Sequence, residues 1–153
     1  MKSTNGHATL SSVNGLGLVG RLCVLTLISA AGVQDNPGVA QERQEAQALR
    51  NPVPSTPESL AAGERIYAKS CAVCHGVTGN GDGKLAAATA AYGKRPSDLT
   101  DDVWEHGSTD GEIFVVIRDG IGPDFNMGGW KGRLSDEEIW NVVNYVKSLG
   151  VKK

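Results

Sequence analysis

Residues 70–76 read Ser-Cys-Ala-Val-Cys-His-Gly, and the reading of these seven decides what the rest of the chain must build. Two thiols three positions apart, Cys71 and Cys74, are followed at once by the imidazole of His75. In isolation the pattern fits half of a zinc site, a redox dithiol, or an attachment point for haem. A thioredoxin-type dithiol sits in a β-α-β setting, and none surrounds this one. Zinc wants four tetrahedral ligands, and the only other candidates are His75, His7 and His106. Adjacent Cys74 and His75 are also awkward to bring to one small tetrahedron along with Cys71.

Haem accounts for every residue of the motif. The two thiols add to the two vinyl groups of one porphyrin edge as thioethers, and one helical turn spaces them to match. His75, next in line, then points at the iron. One covalent haem c is therefore expected, held by Cys71 and Cys74 with His75 as one axial ligand. The iron's other face needs a donor. The chain has two methionines, Met1 and Met127, and Met127 lies in the glycine-rich stretch GPDFNMGGW, residues 122–130. A lone methionine there has little core to fill and can lay its thioether across a flat ring, so Met127 is the expected second ligand. His106 is the competitor; its alternative role is a helix-end histidine beside Gly107.

Around the motif the pattern is helical. Thr56-Pro57-Glu58 combines a hydroxyl cap, a first-turn proline and an acid at the positive helix end. Leu60, Gly63, Ile66 and Tyr67 then share one face, which predicts a helix to about Cys71. Ser135 and Glu138 make a capping box, with Leu134 and Ile139 as its staple. Ile139, Val142, Val143, Val146 and Leu149 follow as an apolar stripe that Gly150 ends, with Lys147 near the negative pole. Thr109 and Glu112 form a second capping box ahead of Ile113–Ile117, closed by Gly120. That β-branched run has strand propensity, but caps on both sides and the lack of a partner strand favour helix. A short fourth helix is expected over Asp101–His106, capped by Thr100. The fold class is all-α: three to five helices wrapped around one covalently attached haem.

The N-terminal third reads differently. Lys2 and Arg21 precede an apolar run of 12 residues, Leu22–Val33, which contains Cys23. A membrane span needs about 20 residues, so residues 1–33 are expected to be a signal peptide, cut after Ala31 or Ala40, with an uncleaved anchor as the competing reading. Gly15, Gly17 and Gly20 match the dinucleotide fingerprint only by accident, because no strand precedes them. Residues 34–54 are polar and proline-rich and predict an extended, flexible linker, with one helical turn near 42–49. The folded domain is expected over 55–153. From Glu58 onward there are 14 acidic and 11 basic residues, so no basic field points to nucleic acid. Aromatics make up only 5% of the chain, a thin supply for a core, and a large apolar cofactor would fill part of the missing volume. The glycine-rich GVTGNGDGK, residues 76–84, is neither a phosphate loop nor a calcium loop; its glycines suit a tight turn around a haem edge.

With CAVCH, a late methionine and a C-terminal amphipathic helix in that order, the sequence resembles the class I c-type cytochromes, and within them the bacterial single-haem domains. The resemblance covers Ser55 to Leu149. It implies that Gly63 and Tyr67 on the first helix cross an apolar and aromatic pair on the last, for which Val142 and Tyr145 are the candidates. It implies that the carbonyl of Pro96, in KRPSDL, accepts from the axial histidine's other nitrogen. Arg95, Trp104, Trp130 and Lys131 become candidates to contact haem propionates. The sequence departs from the family at Gly128, where many members have proline directly after the ligand methionine.

The function this implies is electron transfer, by a one-electron carrier and not an enzyme, between extracytoplasmic redox proteins that touch it transiently. Two rivals stand beside it. One is a haem enzyme or gas sensor with a labile sixth ligand. The other is a tethered cytochrome subunit of a larger dehydrogenase or oxidase.

Overall fold

Thr56 begins the first long helix of the haem-motif region much as its sequence suggests. In the computed structural model, which describes residues 37–91, 95–122 and 127–150, its hydroxyl accepts from the Ser59 amide at 3.3 Å. Helix α2 (Pro57–Ser70) then runs directly into the motif. Upstream lies α1 (Pro37–Ala48), and downstream come two single turns, α3 (Ala72–His75) and α4 (Ala86–Ala90). Helices α5 (Asp110–Asp119) and α6 (Asp136–Gly150) complete the order. Among the described residues there is no strand, only isolated bridges at Gly120–Gly128 and Lys131–Leu134.

The core is built where α2 and α6 cross. Gly63 makes the approach possible: a Cβ on it would stand 2.1 Å from the Asn141 carbonyl oxygen and 2.8 Å from the Tyr145 Cβ. Four residues on, the ring of Tyr67 packs at 53° to that of Tyr145, with centroids 5.2 Å apart. Tyr67, Ile139, Val142 and Val143 are the largest fully buried side chains. The crossing therefore follows the expected pairing, except that the main-chain carbonyl of Asn141, rather than Val142, lies against the glycine. Helix α5 adds Ile113, Phe114 and Ile117, and Phe114 stacks on Trp140 of α6 at 4.0 Å. Asn144 is buried yet satisfied, donating to Ser59 Oγ at 2.8 Å and accepting from Asn51 at 2.8 Å.

Both expected capping boxes are present. Thr109 Oγ1 accepts from the Glu112 amide while the Glu112 carboxylate accepts from the Thr109 amide, and Ser135 and Glu138 repeat the exchange. With these ends fixed, the β-branched run 113–117 is helical, as its caps indicate.

Two expectations fail. Residues 34–54 do not remain extended, because 37–48 form a three-turn helix. Its local pattern is weak, and packing on α5 stabilises it: the Ala46 carbonyl lies where a Cβ on Gly111 would sit, and Gln47 donates to Glu112 at 2.8 Å. The fourth helix over 101–106 does not form. Asp98 Oδ1 accepts from both the amide and hydroxyl of Thr100, at 2.8 and 2.6 Å, and Asp101 accepts from the Val103 amide at 2.9 Å. These side-chain turns compete with helix for the same backbone groups. The expected targeting segment, residues 1–33, lies outside the described residues. No helix among those described is long and apolar enough to cross a membrane.

Candidate functional site

The site starts at the C-terminus of α2. The Cys71 amide still bonds the Tyr67 carbonyl at 2.8 Å, and the next turn, α3, presents Cys74 and His75. A helix end leaves carbonyls without partners, and the glycine-rich loop supplies them. The amides of Leu85, Gly83 and Gly81 donate in turn to the carbonyls of Val73, Cys74 and His75, at 2.9, 3.0 and 2.8 Å. This antiparallel return is the structural use of the stretch 76–84. Gly81 takes φ 72°, and any Cβ there would stand 2.4 Å from the Pro96 carbonyl oxygen. The hydroxyl of Tyr67 donates to the Gly76 carbonyl at 2.8 Å, so the helix crossing and the motif are tied by one side chain.

Cys71 and Cys74 are free, partly buried thiols. Burial pushes the Cys71 thiol up to about 11, and the neighbouring Cys74 adds to the shift. Burial thus disfavours the Cys71 thiolate that a redox dithiol would use. Among the described residues no three His, Cys, Asp or Glu side chains cluster as a metal-binding group. His75 Nδ1 lies 3.1 Å from the Ser97 carbonyl oxygen. A carbonyl only accepts, so Nδ1 carries the proton and the lone pair is on Nε2. Burial pulls the His75 pKa below its ordinary value, against an opposing effect of the Ser97 carbonyl, and so favours the neutral ring. The acceptor is thus Ser97 and not Pro96, whose own carbonyl is directed at Gly81.

These residues open on a cavity of about 550 Å³, within the range of small-molecule and cofactor sites. Its lining brings together Cys71, Cys74 and His75 with Met127, although His75 and Met127 lie 52 positions apart in sequence. Ile113 and Ile117 of α5 and Val142 and Val146 of α6 supply apolar walls. Arg95, Pro96, Trp104 and Trp130 line it as well, and so does the exposed His106; Lys131 does not. The donors fit haem c: two thiols one turn apart, an imidazole with its lone pair on Nε2, a thioether, and apolar walls between them.

The Met127 segment is fixed by backbone contacts. The Ile121 amide donates to the Met127 carbonyl at 2.7 Å, and the Trp130 amide reaches the carbonyls of Ile117 and Arg118, each at 3.0 Å. Glycine at 120 and 129 lets the two strands of chain lie this close, since a Cβ on Gly120 would be 2.5 Å from the Gly129 nitrogen. Sequence reasoning missed Ser97 and Arg133, which also lines the cavity. The one available signal for Arg133 was its place three residues after Trp130, where a turn folds it back over the indole.

Residues 58–146 match the family model described as cytochrome C oxidase, cbb3-type, subunit III. Among curated proteins, the chain is 33% identical over 90 residues to the Cbb3-type cytochrome c oxidase subunit FixP of Bradyrhizobium diazoefficiens, covering 59% of this chain and 27% of that one. It is 35% identical over 94 residues to the CcoP subunit of Rubrivivax gelatinosus, covering 61% and 27%. The match thus spans about a quarter of these relatives' length. Among solved structures, a chain of the reducing HAO-like protein complex of Kuenenia stuttgartiensis superposes with a TM-score of 0.56 at 27% identity. That likeness covers 66% of this chain and 49% of the other.

Proposed function

The chain belongs to the cytochrome C oxidase, cbb3-type, subunit III family and is a c-type cytochrome domain, and from that premise we propose that it is a one-electron carrier holding a single haem c. The observation that carries this reading is the convergence of Cys71, Cys74, His75 and Met127 on one cavity with apolar walls. Cys71 and Cys74 would hold the haem through thioethers, and the sequence contains one such C-x-x-C-H. The haem iron, when bound, supplies reversible one-electron chemistry. His75 and Met127 would fill both axial positions, leaving none for a substrate. Histidine–methionine ligation also favours the ferrous state and raises the potential. The Ser97 carbonyl orients the His75 ring and strengthens it as a donor. The apolar side chains of α5 and α6 keep water from the site, so little solvent reorganises when the charge changes.

The partners would be redox proteins meeting the site in a small, transient contact, outside the cytoplasm. The apolar run 22–33 supports export or anchoring. A second reading has a specific observation behind it: the named relatives are subunits of an oxidase. In that form the domain serves as a tethered cytochrome passing electrons within a complex. The site chemistry is the same in both. A potentiometric titration of the matured protein is expected to follow a single one-electron Nernst curve. Two waves, or no reversible couple, would contradict a single-haem carrier.

A further inference from the structure

Residues 127–130 are gripped from two sides. One grip is the backbone pairing to the end of α5 described above. The other is Arg133. Gly132 takes φ 78°, and the amides of Arg133 and Leu134 both donate to the Trp130 carbonyl, at 2.9 and 3.0 Å. This turn brings the Arg133 guanidinium back over the Trp130 ring, 4.1 Å from its centroid, and Nη2 donates to the Gly129 carbonyl. A Cβ on Gly128, next to Met127, would lie 4.0 Å from Nη2. Gly128 itself has neither the fixed φ of proline nor a side chain to pack, so its own sequence gives the methionine segment little stiffness.

We propose that Arg133 is a positioning residue for Met127: bonded to the Gly129 carbonyl and stacked on Trp130, it stiffens residues 127–130 and keeps the methionine thioether in the cavity. The inference rests on the reading of Met127 as an axial ligand. One hydrogen bond from a cation and one exposed cation–π contact are together worth roughly tenfold in an equilibrium. Arg133 is exposed and outside the buried core, so its removal should leave the fold intact and lower global stability by no more than that same factor.

The test is an imidazole titration of the ferric holoprotein, followed through loss of the weak long-wavelength methionine–iron band. Imidazole should bind R133A roughly tenfold more tightly than the wild type. R133K, which still donates to the Gly129 carbonyl but cannot stack as a plane, should fall between the two. All three should unfold in one cooperative transition, with midpoints shifted by no more than the loss of these two contacts allows. Equal imidazole affinity in wild type and R133A, with the band present in both, overturns the role of Arg133 alone. Absence of the band from the wild type overturns the assignment of Met127 and this inference with it.

Discussion

Gly63→Ala is expected to lower the unfolding free energy of the holoprotein by about 2 kcal/mol or more, although alanine is the better helix former. Two effects compete. Propensity favours the substitution by up to about 1 kcal/mol. Against it, the new Cβ would stand 2.1 Å from the Asn141 carbonyl oxygen and 2.8 Å from its carbon. Those are backbone atoms of α6, so no side chain can swing aside. Ordinary contact requires α2 and α6 to separate by about 1 Å or more. Separation opens the seam where Tyr67, Ile139, Val142 and Val143 are fully buried, and it disturbs the Tyr67 hydroxyl on the Gly76 carbonyl. The steric effect wins. Guanidinium unfolding of the two holoproteins decides the matter, and a variant as stable as the wild type would show that the crossing is looser than described.

Met127→Ala is expected to leave haem on the chain while opening its sixth position. The proposed attachment is through Cys71 and Cys74, which the substitution does not touch. The ferric protein should lose its methionine–iron band, the ferrous protein should bind CO completely, and the potential should fall as the thioether is lost. An unchanged six-coordinate low-spin spectrum would show that Met127 is not the ligand. His106 also lines the cavity, so a low-spin spectrum kept in M127A and lost in M127A/H106A would assign the position to it.

The sequence was most informative where local chemistry and long-range packing agree. The boxes at Thr109 and Ser135 are local hydrogen-bond patterns with defined spacing, so both helix starts were legible, even ahead of a run with strand propensity. Gly63 and Tyr67 were legible through resemblance, since spacing alone does not say which helix a glycine meets. The four donors expected at the haem do line one cavity. Helix α1 was not legible, because its support comes from Gln47 and Ala46 meeting residues some 65 positions away. The expected helix over 101–106 was overruled by aspartates that turn the backbone locally, a competition propensity does not resolve. Ser97 in place of Pro96 as partner of His75 is a one-residue shift in register. It depends on the Pro96 carbonyl facing Gly81, a contact between loops that no pattern records. Arg133 stayed hidden for a similar reason: only the turn at Gly132 brings it to the Met127 segment.

The optical spectrum of the protein matured with c-haem machinery, reduced and then exposed to CO, bears on both the attachment and the ligands at once. With haem held by Cys71 and Cys74 and its iron by His75 and Met127, as proposed, a sharp α-band is expected that denaturation does not strip from the chain and that CO leaves unmoved. A spectrum that shifts with CO would contradict the electron-carrier reading, and a protein without covalently bound haem would contradict the site itself.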